Sequence, residues 1–166
     1  MNRFVRAPLL ALLLASAGPC LAQPAAPVVS NAWSRATAPG QPNGAAYLTI
    51  SVGAPDQLIG ASTPIADSAE AHETAEVAGV MQMRPVGVLA LTPGAPVNFA
   101  PGGLHIMLMG LHQPLQPGSS FALTLRFKVA GPVTTMVVVG RAGASAAPMA
   151  MPGMAMPGMT GHDMTP

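Results

Sequence analysis

Cysteine is nearly missing from this chain: Cys20 is the one cysteine among 166 residues. It falls in a stretch with the parts of a secretory signal peptide, namely a basic start at Arg3 and Arg6, an apolar run from Leu9 to Ala15, and small residues before Gln23. That run is too short to remain as a membrane-spanning helix. Pro19 occupies the place where a lipidated cysteine normally has a small residue, so cleavage after Ala22 is expected, and Cys20 leaves with the leader. The mature chain then holds no cysteine. A structural disulfide and a thiol-based redox enzyme are both excluded, and an oxidising, periplasmic location fits.

Charge is the second scarcity, at 8% of residues, and aromatics the third, at 4%. Without Arg3 and Arg6 five basic side chains face six acidic ones, which leaves no electrostatic footprint for nucleic acid. No stretch has convincing amphipathic helical periodicity, while 18 glycines and 19 prolines punctuate the chain into short segments. Strands are predicted at Asn31–Ala36, Ala45–Val52, Gln57–Ala66, Ala69–Val77, Val80–Val86, Val97–Phe99, Leu104–Met109, Ser120–Val129 and Val133–Val139. Short, regularly spaced strands without helices predict an all-β, antiparallel β-sandwich or barrel. The chain is long enough for one domain. The expected division is a signal peptide at 1–22, a flexible leader at 23–29, a β-domain at 30–141 and a tail at 142–166. Trp33 and Tyr47 are expected in the core.

What the chain does hold is histidine and methionine. Between His72 and Met109 lie two of its four histidines and four of its twelve methionines. Neutral imidazole and thioether form a soft ligand set that suits Cu(I) and offers little to cations that require oxygen ligands. Closed zinc sites usually need thiolates, which are absent. Strand parity places His105, Met107 and Met109 on one face and Leu104, Ile106 and Leu108 on the other, so one face can pack while its opposite binds. Parity also puts Met81 and Met83 together. Methionine is a common gap-filler in cores, and a lone His-x-Met would ordinarily be packing.

The spacing goes further. His72, ten residues, Met83, twenty-one residues, His105, one residue and Met107 resembles the metal motif of the periplasmic copper chaperones of the PCu(A)C family. Ala32-Trp33-Ser34-Arg35-Ala36, Gly44 to Ile50, Val80 to Val86 and Pro101 to Leu111 are similar to that family's blocks, in the same order, over roughly Val28 to Val139. One departure is Glu73, where relatives often carry methionine. The resemblance implies a cupredoxin-like fold, no enzymatic activity, and a Cu(I) site formed by His72, Met83, His105 and Met107. It also implies a recipient: the copper centre of cytochrome c oxidase, reached directly or through another copper assembly protein. Met81 and Met109 lie close enough in sequence to substitute for the matched methionines. His112 has no slot in the motif and is expected at the surface.

Beyond the linker Arg141–Pro148 the composition shifts to Met149, Met151, Met154, Met156, Met159 and Met164 among Ala, Pro and Gly, with His162 and Asp163. Such a segment cannot bury a core and is expected to be disordered. Thioethers favour Cu(I), whereas imidazole and oxygen suit Cu(II), so the tail is a candidate second capture site for either ion. A copper carrier is the leading expectation. The alternative is a copper-buffering or resistance protein in which the tail dominates. A blue-copper electron carrier is excluded by the missing thiolate.

Overall fold

The computed structural model describes residues 26–148, and every regular element among them is a strand. In chain order these are β1 (Val28–Arg35), β2 (Asn43–Ser51), β3 (Asp56–Ser62), β4 (Ala66–Val77), β5 (Val80–Pro85), β6 (Leu89–Leu91), β7 (Val97–Phe99), β8 (Leu104–Leu111), β9 (Ser120–Phe127) and β10 (Gly131–Gly140). Hydrogen-bonded neighbours run β4–β8–β2–β1–β10–β9–β3, and β3 returns to β4 at Ala61 and Ala69. Seven strands therefore close into a barrel, with β5, β6 and β7 added to β4, β3 and β2.

Period-two alternation fills the interior. On β9, Phe121, Leu123, Leu125 and Phe127 are buried, and they meet Leu48 and Ile50 of β2, Leu58 of β3, Ile106 and Leu108 of β8, and Val137 and Val139 of β10. Each such side chain contributes about 1.5–3 kcal/mol by leaving water. The pairings are antiparallel except one: β1 runs parallel to β10, with Trp33 opposite Val138. Among the described residues, the first and last strands make that seam. No local pattern carries information about it.

Where boundaries differ from expectation, the reasons are local. The stretch read as one strand from Gln57 to Ala66 ends at Ser62, because Thr63–Ile65 turn the chain at Pro64. β1 begins at Val28, inside the segment read as leader, because Val28 and Val29 pair with Ser51 and Ile50. β6 was not expected; three residues are too few to show a period. Residues 141–148, read as linker, fold back on the barrel, where Arg35 Nε–H donates to the Ala144 carbonyl at 2.7 Å.

Trp33 and Tyr47 are buried, but not inside the barrel. Ala46, Leu48 and Ile50 hold the inward positions of β2, which leaves Tyr47 on the outer face. A bulge between Ser30 and Trp33, with Asn31 at φ 52°, sets Trp33 directly opposite it. Their rings stack at a tilt, 4.7 Å between centroids.

Candidate metal centre

The outer face of β4, β8 and the added strand β5 carries the candidate ligands, because the inner face of β4 and β8 is committed to Ile106, Leu108 and Ala69. His72 and His105 are direct cross-strand partners, with ring centroids 6.1 Å apart and planes at 26°. Met107 lies between Glu70 of β4 and Ala45 of β2. Met83 is opposite Thr74, two pairs along β4 from His72 and on the same face. An open depression of about 410 Å³ collects Met83, His105 and Met107, together with Thr74, Tyr47 and Arg35. His72 stands beside this depression through its neighbour His105.

Backbone carbonyls orient both imidazoles. A carbonyl can only accept, so the contact of His105 Nδ1 with Gly103 O at 3.0 Å places the ring proton on Nδ1 and leaves the Nε2 lone pair free for a metal. His72 Nδ1 approaches Glu70 O at 3.3 Å in the same manner. The glycine-containing turn before β8 makes the first bond possible: Gly102 has φ 85°, and Ala100 O receives the Gly103 N–H at 3.1 Å. His105 itself is 5% exposed, whereas Met83 is 52% exposed. The site thus has a hydrogen-bonded, buried imidazole and a solvent-exposed thioether.

Nearby methionines are distributed differently. Met81 is exposed opposite Glu76, and Met109 sits between Asn43 and Ser68; neither lines the depression. Among the described residues no three of His, Cys, Asp and Glu come together as a group that could hold a metal. His112 is at the surface, with Nε2 3.1 Å from Asp67 Oδ1. Gly110, at φ 68°, permits this approach: a Cβ there would collide with the Asp67 carboxylate. The tail residues Met149, Met151, Met154, Met156, Met159, His162 and Met164 lie outside the described residues, as does the 1–22 segment.

Arg35 and Tyr47 line the depression and were not singled out as site residues from sequence. Tyr47 was assigned to the core, and Arg35 was noticed only within its block. Burial raises the Tyr47 phenol above its ordinary value, a rise that the nearby Arg35 charge opposes. Arg35 Cζ lies 5.8 Å from the centre of the Tyr47 ring, within cation–π range. Period two on β2 shows that Tyr47 and Ala45 share a face, but only the register with β8 shows that this face is the one with Met107.

The family model LpqE-like, whose description is that of a lipoprotein, matches residues 28–139. The chain belongs to the LpqE-like family. Among curated relatives of this LpqE-like protein is one bearing a lipoprotein name, Lxx21020, from Leifsonia xyli subsp. xyli, 34% identical over 100 residues. That match takes in 60% of this chain, and the chain likewise spans 60% of the relative's length. Solved structures similar to the LpqE-like protein include the apo PCuAC domain of PmoF2, at 26% identity and TM-score 0.63, covering 75% of this chain and 97% of that domain. The copper-bound PCuAC domain of PmoF2 follows at 27% identity and TM-score 0.59, covering 71% and 95%. The Cu(I) form of DR1885 from Deinococcus radiodurans aligns at 27% identity and TM-score 0.53, covering 73% and 83%. The LpqE-like fold is therefore cupredoxin-like, as these PCuAC neighbours are.

Proposed function

We propose that this protein is a copper carrier of the cell envelope that binds Cu(I) through His72, Met83, His105 and Met107 and passes it on by ligand exchange. The observation that carries this reading is the convergence of Met83, His105 and Met107 on one open depression, with His72 paired across the strands to His105. Four neutral donors on an outer barrel face suit transfer, because no thiolate has to be reprotonated when the ion leaves. The copper-bound and Cu(I) neighbours support the choice of metal.

The recipient in this proposal is a copper centre of cytochrome c oxidase, met directly or through another assembly protein. The barrel, with residues 141–148 folded back on it, forms the binding domain, and the segment beyond Pro148 assists capture, including that of Cu(II). A cleaved leader at 1–22 directs the chain to the periplasm. The lipoprotein names among relatives support an envelope location, and the mass of the mature chain, expected to start at Gln23 without lipid, checks the cleavage. Among the described residues no helix is long and apolar enough to cross a membrane.

Anaerobic Cu(I) titration against a chromophoric chelator tests the carrier reading. One tightly held Cu(I) is expected per wild-type chain, lost in His105→Ala while the fold is retained. A chain that keeps taking up copper well beyond two ions would favour the buffering alternative, and retention of the tight ion in His105→Ala would reject the site.

A further inference from the structure

The ligands proposed above are all uncharged, so beyond the preference of thioethers for Cu(I), any discrimination by the charge of the ion comes from other groups around the depression. Arg35 is the charged side chain that lines it. In the sheet, Ser34 of β1 pairs with Ala46 and Ala45 of β2 pairs with Met107, so Arg35 and Met107 flank Ala45 on the outer face. Two strand spacings separate them, roughly 10 Å. Alanine between them leaves the path across the depression without a bulky screen. The guanidinium is also fixed: Nε–H donates to Ala144 O at 2.7 Å, and Cζ lies over the Tyr47 ring. Tyr47 lines this side of the depression and is itself buried against Trp33.

The carboxylate side is different. Glu70 is the cross-strand partner of Met107 on β4, but it is exposed and lines the neighbouring groove between β3 and β4. Its charge is free to turn into water and is screened there. A half-buried, pinned cation therefore faces a solvated anion. Repulsion by a fixed cation grows in proportion to the charge of the ion it faces, so each extra unit on the metal costs again what the first did.

The geometry points to Arg35 as the residue that selects the monovalent ion, disfavouring Cu(II) relative to Cu(I) at the His72, Met83, His105 and Met107 site. This rests on the carrier reading. Arg35 touches no metal; it acts through its charge, with Tyr47 as its platform.

The test uses the full mature chain loaded with less than one equivalent of copper, with Cu(I) and Cu(II) affinities measured by chelator competition and the reduction potential of the loaded site measured alongside. Arg35→Gln should raise Cu(II) affinity relative to Cu(I) by about tenfold, the size expected for one unit charge at roughly 10 Å in an effective dielectric near 20. The potential should fall with it. Arg35→Lys should keep the wild-type ratio within about threefold, because the charge remains. Arg35→Met retains the apolar stem over Tyr47 and should behave as Arg35→Gln does; it serves if the glutamine variant does not fold. An affinity ratio and potential unchanged in the neutral variants, with Cu(I) still bound and still lost in His105→Ala, overturns the assignment of Arg35 alone. Tight Cu(I) binding that survives His105→Ala in the wild-type background overturns the site reading and this inference with it.

Discussion

Met83 and Met81 are two residues apart, on the same strand and the same face, yet their surroundings separate them. Met83 lies across from Thr74 and lines the depression, whereas Met81 lies farther out across from Glu76, near the tip of the hairpin. Met83→Ala should therefore weaken Cu(I) binding at least about tenfold, the order expected from losing one soft ligand, and Met81→Ala should leave it within about twofold. Copper absorption spectroscopy provides the second readout, with one sulfur fewer in the first variant and an unchanged shell in the second. A lost sulfur in Met81→Ala, or in Met109→Ala, would move the ligand set along its strand. Both substitutions should leave stability nearly unchanged, because these side chains stand outside the barrel core. The choice between the two methionines came from family spacing in the sequence, and from the register with Thr74 in the fold.

At the scale of elements, two turns decide how well strands are held. The β4–β5 hairpin closes through Ala78 and Gly79 at φ 52° and 80°, the signature of a two-residue type I′ turn. Alanine is a poor residue for that position, since the left-handed region costs a residue with Cβ about 1–2 kcal/mol. Ala78→Asn should accordingly raise the unfolding free energy by about 0.5–1 kcal/mol, read as a shift in the denaturant midpoint, and a neutral or destabilising result would mean that the turn has another geometry in solution. The second device is Asp56, at the head of β3. Its Oδ1 accepts from the Gln57 and Val129 N–H groups at 2.7 and 2.9 Å, and its Oδ2 from Ala130 N–H at 3.0 Å, tying β3 to the β9–β10 turn. Desolvation alone would push this carboxyl up, but the backbone donors outweigh it and hold it below its ordinary value of 3.8. A folded pKa below the unfolded one stabilises the protein above about pH 4 and ceases to do so as the pH falls through the folded value. Asp56→Asn should remove about 2–3 kcal/mol at pH 7 and flatten the decline in Tm between pH 4 and 2. An equally steep acid decline in the variant would place the responsible carboxyl elsewhere.

For the whole molecule, the question is where the domain ends. Composition changes at Ala142, which suggests a cut there, but Ala144 O accepts from Arg35 and Pro148 sits against Gly140. A chain ending at Pro148 should keep the full chain's Tm. One ending at Arg141 should lose about 1–3 kcal/mol, the worth of a hydrogen bond to a charged donor, and its Arg35 should no longer be pinned. Equal stability of the two truncations would show that residues 142–148 contribute no fixed contact. The distinction matters for any measurement of the tail: removal of residues 143–166 would disturb the depression, whereas removal after Pro148 leaves it whole.

Strand content, the antiparallel sandwich-or-barrel class and the shared face of His105 and Met107 were determined by the sequence alone, because period-two alternation is a local property of the chain. The cupredoxin-like expectation came with the family resemblance. The parallel seam of β1 with β10, the closure of β3 on β4 and the placement of Trp33 and Tyr47 outside the barrel were decided only by the tertiary structure. Each depends on which strands become neighbours, and a single bulged residue near Asn31 is enough to set Trp33 opposite Tyr47. Arg35 shows the limit most directly. It is thirty-seven positions from His72 and seventy-two from Met107 in the sequence, and it reaches their depression because β2 lies between β1 and β8. Ligands announce themselves by residue type and spacing; the charge that surrounds them is set by strand order, which no local pattern encodes.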